Sequence, residues 1–187
     1  MSQVRFSTVQ DLFEAFPTAA KDVGKADAGM RSLDFLRSLI ERRDWQRAIS
    51  FCAYLLPRRV AVAWGCRSLR RMVDRFDADE DRAIGYAEAW VEDPGETTRG
   101  KALAIGNVND HKAAATWLAL AAGWSGGSIV PPEFDPVETK PEKTARAVRV
   151  ALVVGLSRLT GDVRDRIMTE CLEDGIHFAR GEPRSSR

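Results

Sequence analysis

Through the first two thirds of the chain, apolar residues recur at intervals of three and four, the spacing of one buried helix face. The pattern predicts a short first helix with Val9, Leu12, Phe13 and Phe16 on one side, opened by a Ser7–Gln10 capping box and stopped at Pro17. Residues 19–30 are small and polar and read as a connection. A helix over 32–43 buries Leu33, Leu36, Leu39 and Ile40, and Asp44 caps the next, over 45–56. Pro57 suits the first turn of a fourth helix, over 58–75, with Ala61, Trp64, Gly65, Cys66, Leu69, Met72 and Val73. Asp77 or Asp79 caps a fifth reaching Val91, and Pro94 opens a sixth reaching Ile105. After a turn at 107–110, a seventh covers 112–124.

Part of this pattern repeats. Asp44 to Phe51 returns, with four identities, at Asp79 to Tyr86, 35 residues later. The apolar register beneath the match is more telling. Ala48, Ile49, Cys52, Leu55 and Leu56 become Ala83, Ile84, Ala87, Trp90 and Val91, and a fainter third copy behind Asp110 supplies Ala114, Ala115, Leu118, Ala121 and Ala122. A period of this length belongs to helical hairpins that stack and bind. The series then breaks at Ser125-Gly126-Gly127-Ser128 and a segment holding Pro131, Pro132, Pro136 and Pro141. A helix restarting at Pro141 or Thr144 runs through Leu159. Gly161 ends it, Asp162 caps the last helix, and Gly175 is a candidate stop for that one. No segment alternates with the period of two that marks a strand. The expectation is an all-α domain over 1–180, a compact array of about eight or nine helices stacked as antiparallel hairpins, with a disordered tail over 181–187.

Composition narrows the function. The chain has 187 residues, enough for one domain with its own core. Lys plus Arg is 28 against 27 for Asp plus Glu, which argues against a dedicated duplex-DNA binder. Three cysteines, at 52, 66 and 171, give no disulfide framework and fit a reducing compartment. Met1 to Phe6 lacks the apolar core of a signal peptide, and the run from Ala147 to Leu156 is too short to span a bilayer. A cytoplasmic protein without membrane insertion is expected.

Catalytic and metal chemistry find little material. Cys52, Cys66, Cys171, His111 and His177 show none of the usual zinc spacings, and Cys52 sits on an apolar stripe. GxSxG is absent, leaving His111 and His177 as the only imidazole bases for a small hydrolase or transferase. The glycines after Gly123 follow a helix and lack the GK[ST] of a phosphate loop. The carboxylates at Asp77, Asp79, Glu80 and Asp81 suit a helix N-terminus. No cofactor is implied. One basic cluster stands out: Arg58, Arg59, Arg67, Arg70, Arg71 and Arg75, with Arg67, Arg70 and Arg71 on one face. It reads either as a face for an acidic or phosphate-bearing partner, or as a solvated face favoured by the negative helix end. Of the five tryptophans, Trp124 beside the Gly/Pro loop is the candidate binding anchor, and Trp45 and Trp90 fall on core stripes.

DWQRAISFCAYLLPRRVAVAWGC (44–66), with SLDFLRSLIERRD before it, resembles an uncharacterised all-helical proteobacterial family associated with type VI secretion gene clusters. The resemblance implies a fold and carries no catalytic residues. The paired helices also look like HEAT or TPR arrays, although the tryptophan–leucine–glycine–tyrosine signature of TPR is missing. The reading is a non-enzymatic adaptor or chaperone for another protein, engaging it through Arg67, Arg71 and Trp124 and the loop 125–140. The alternatives are a small enzyme or a toxin-neutralising immunity protein.

Overall fold

Thr8 opens the first helix. Its hydroxyl accepts from the Asp11 backbone N–H (3.2 Å), and the Asp11 carboxylate accepts from the N–H of Thr8 (2.9 Å). The capping box is therefore one residue later than the expected Ser7–Gln10 pair. The computed structural model describes residues 4–128, 130 and 135–181. They form α1 (Val9–Ala15), α2 (Ala19–Val23), α3 (Ser32–Glu41), α4 (Trp45–Leu55) and α5 (Arg58–Met72). These are followed by α6 (Ala78–Glu92), α7 (Glu96–Val108), α8 (Ala114–Gly123), α9 (Lys143–Leu156) and α10 (Gly161–Arg180). Among the described residues no strand forms, only isolated bridges at Thr8–Arg31 and Ser128–Glu138.

Among the described residues the fold is all-α with ten helices. The added element is α2, inside the segment expected to be a connection. With five residues it is too short to display a period, yet Ala19 and Val23 are buried. Asp77 caps α6, accepting from the N–H groups of Asp79 (2.9 Å) and Glu80 (2.8 Å). Asp44 precedes α4 without capping it, because its carboxylate is engaged by Arg47 (3.2 Å). Thr160, not Asp162, is the residue before α10, and it too makes no side-chain cap. Residues 129 and 131–134 of the Gly/Pro loop, and the tail from 182, lie outside the described residues.

Fourteen of the fifteen repeat positions are buried, and Val91 is half-buried. They face one contiguous core. Within it α8, apolar on every side, is packed by α5, α6, α7 and α9, while α9 is flanked by α4, α5 and α8. α5 and α9 run side by side in the same direction: Gly65 faces Val148, and Gly155 faces Leu69 and Met72. α10 folds back over α3, α4 and α5, so the chain closes on its own earlier helices.

Gly175 does not end α10, which continues to Arg180 and stops at Gly181 in the left-handed conformation (φ 69°). Gly175 serves packing instead. A Cβ built there would overlap Cys52 Sγ and lie 3.2 Å from Trp64 Nε1. α10 can approach α4 and α5 this closely only without a side chain at that point.

Candidate functional site

The six arginines of the basic cluster, five on α5 and Arg75 just beyond it, do not converge on one spot. Arg58 donates through Nη1 to the Ser125 carbonyl (2.7 Å), tying the start of α5 to the loop after α8. Arg59 donates to the carbonyls of Val91 (2.6 Å) and Glu92 (3.2 Å) at the end of α6. Arg70 grips Glu88 with Nε (2.5 Å) and Nη2 (2.7 Å), and lies 3.6 Å from Asp81. This fork, more than any longer-range charge, pushes the Arg70 guanidinium above its usual range. Arg67 (3.2 Å) and Arg71 (2.6 Å) both reach one oxygen of Asp174. Arg75 is exposed and bonds to no described residue.

Asp174 is the buried charged group missing from the residues singled out in the sequence. Its side chain is 2% exposed, and two guanidiniums from α5 neutralise it. A lone carboxylate so deep in the protein would cost several kcal/mol, which the paired arginines offset. A signal was present in the sequence. Asp174 falls on the buried stripe of α10, between Cys171 and Gly175, where a charge demands a partner.

Trp124 belongs to a different place. The rise along α5 separates Arg58, beside the loop after Trp124, from Arg71 by ~20 Å. Trp124 is half-buried at the end of α8, and its carbonyl accepts from the buried Thr144 hydroxyl (3.2 Å). Lys143 Nζ stands 4.7 Å from the Trp124 ring centroid, a cation–π contact. Trp117, about two helical turns earlier, meets Trp124 edge-on at 6.4 Å, and His111 lies 5.8 Å from Trp117. The Trp117 indole donates to the His111 carbonyl (2.8 Å). Beneath the loop, Arg99, 7% exposed, donates to the Gly123 carbonyl (2.7 Å) and pairs with Glu96. The outcome is a half-exposed aromatic edge, His111–Trp117–Trp124–Lys143, at a helix end.

The other candidate groups are dispersed. His111 is exposed, with Nε2 3.0 Å from the Gly106 carbonyl, and His177 is half-buried in the last turn of α10. Cys52, Cys66 and Cys171 are buried free thiols, and burial pushes each above its usual range, away from the reactive thiolate. Trp64 and Trp90 are core residues, and Trp45 is half-buried with its indole donating to Asp165 (2.9 Å). Among the described residues no three His, Cys, Asp or Glu side chains gather as a metal site, and no helix is long and apolar enough to cross a membrane.

Two concavities border these features. A cleft of about 290 Å³ at the start of α6 is lined by Asp77, Asp79, Glu80 and Asp110 with Lys112 and Arg158. Glu80 within it is paired to Arg158 (2.6 Å). A groove of about 390 Å³ between α5 and α6 has Ala63, Cys66 and Val91 against Arg67, Arg70, Glu88 and Glu92.

The fold and these surfaces define an all-helical domain with an apolar core, some of whose charged groups bridge its helices. The chain belongs to a family of unknown function, DUF6931, whose model matches residues 35–179, from within α3 almost to the end of α10. No curated protein and no solved structure matches it.

Proposed function

We propose that this chain is a non-enzymatic adaptor or chaperone, with a component or effector of a type VI secretion system as its client. Its client surface is the Trp117–Trp124 edge together with Lys143 and Arg58. The observation that carries the reading is the pair of half-buried indoles on a helix end, with a lysine above one of them. Tryptophan in a fixed rotamer offers large apolar area at low entropic cost, which is why it dominates binding hot spots. Lys143 has no carboxylate within ion-pair distance among the described residues, and Arg58 holds only a carbonyl. A client segment that fits places an apolar side chain on the indoles and a carboxylate beside Lys143 and Arg58.

The test is quantitative affinity purification from the native host with wild-type protein and with the Trp124→Ala and Lys143→Glu variants. Enrichment of a type VI component or effector by the wild type, lost in both variants while their helical circular dichroism persists, is the expected result. Equal recovery by all three proteins would remove this surface from consideration. Recovery of no secretion-related protein would remove the client class.

A further inference from the structure

The outer faces of α5 and α6 carry opposite charges in register. On α5 the residues at i, i+4, i+8 and i+11 are Arg59, Ala63, Arg67 and Arg70. On α6 those at i, i+4, i+7 and i+11 are Asp81, Gly85, Glu88 and Glu92. Each set forms one stripe along its helix. The helices run antiparallel: Arg59 reaches the carbonyls of Val91 and Glu92 at one end, and Arg70 reaches Asp81 at the other. Between the stripes lies the groove walled by Ala63, Cys66 and Val91. Nothing lies within 4 Å of a Cβ built at Gly85, and Glu92 is exposed, with no side-chain partner among the described residues.

A face with one basic stripe, one apolar furrow and one acidic stripe is complementary to itself. A two-fold axis lying along the furrow brings the basic stripe of each copy over the acidic stripe of the other and sets furrow against furrow. A two-fold axis across the furrow would set arginine on arginine, so the charge pattern selects a single arrangement. We infer that the α5–α6 face is the contact between two copies of this chain, with Arg59 of each copy opposite Glu92 of the other. The small residues Ala63 and Gly85, one in each stripe, let the opposed helices approach. Two helices of 15 residues each present a face of roughly 400 Å² per copy, at the low end for specific association. The dimer is therefore weak, concentration-dependent and sensitive to salt. This contact is independent of the client surface at Trp124.

The test is sedimentation equilibrium of the full chain over a hundredfold concentration range, at low and high salt. A monomer–dimer equilibrium that shifts toward monomer as salt rises is expected. Arg59→Glu and Glu92→Arg should each abolish the dimer, and an equimolar mixture of the two variants should restore it as a heterodimer. Both substitutions place the charge that the helix dipole prefers at that end, an acid at the start of α5 and a base at the end of α6. Loss of association is thus separable from loss of folding, with circular dichroism as the check. A wild type that stays monomeric throughout, variants that still dimerise, or a mixture that fails to re-associate would each overturn the inference.

Discussion

The junction of α10 with α4 and α5, and the Trp117–Trp124 edge of α8, use the same kinds of side chain to different ends. At the junction Trp64 is fully buried, and its indole donates to the Cys171 carbonyl (2.7 Å). Arg67 and Arg71 end on a buried carboxylate, and Gly175 lets the backbones close. At the edge the indoles are half-buried, and the nearest cation rests on a ring instead of an acid. Aromatic rings and cations stabilise a fold where each polar atom finds an internal partner. Where they stand half-satisfied at a helix end, they are available to something else. Substitutions at the two places should therefore separate stability from binding.

The largest effect belongs to Gly175→Val. The added carbons must displace Cys52 or Trp64, both fully buried, so α10 has to shift off α4 and α5. The expected loss is about 3 kcal/mol, seen as a lower midpoint in urea unfolding. Asp174→Asn comes next. It leaves Arg67 and Arg71 facing a neutral amide, but their side chains are 43% and 30% exposed and can turn toward water. The cost is accordingly below that of a fully buried pair that loses one partner, about 2 kcal/mol. A midpoint unchanged by Asp174→Asn would show that the two arginines do not hold α10.

These two sites also show what the sequence could and could not disclose. The apolar register of α4, α6 and α8 was legible because burial on one face imposes a period, and Ala48, Ala83 and Ala114 mark it in all three copies. Trp124 at a helix end was legible because the glycines and prolines after it break that period. The role of the arginines was not. Arg67, Arg70 and Arg71 share a helix face, but the partner of Arg67 and Arg71 is 107 and 103 residues away in α10, and that of Arg70 is 18 away in α6. No local pattern encodes a pairing across that distance. Gly175 misled for a related reason, since a glycine that ends a helix and one that admits a neighbouring helix look alike until the neighbour is in place.

A smaller effect should appear where α2, outside the family match, is fastened to α4 and α9. Asp22 accepts from Tyr54 (2.6 Å) and Arg146 (2.8 Å). Burial favours its neutral form, but those hydrogen bonds outweigh burial and hold the carboxyl below its usual range. Tyr54 is pushed up to about 12, chiefly by burial and then by Asp22. The signs follow. The depressed Asp22 contributes stability above the unfolded carboxylate pKa, and that contribution is lost as pH falls through the folded value. The raised Tyr54 contributes stability below about 10, lost as pH rises toward about 12. Tyr54→Phe should cost about 1 kcal/mol at neutral pH and flatten both limbs of a plot of unfolding free energy against pH. Limbs identical to wild type would mean that the fastening is not made through the phenol.

Trp124→Ala should have the smallest effect on stability. The ring is half-buried, its strongest contacts are the edge of Trp117 and the ammonium of Lys143, and its carbonyl bond to Thr144 survives the substitution. The expected loss is about 1 kcal/mol, since what is removed is one cation–π contact at an exposed site, part of an aromatic pair and the packing of a half-exposed ring on the rim of the core. Its effect on client capture should be out of proportion to that loss, because an anchor of a binding surface is removed while the helix end that carried it stays in place. Urea unfolding and client capture measured on the same preparation decide the matter. A stability loss as large as that of Asp174→Asn would instead make Trp124 a core residue like Trp64, and the contrast between the two regions would fall.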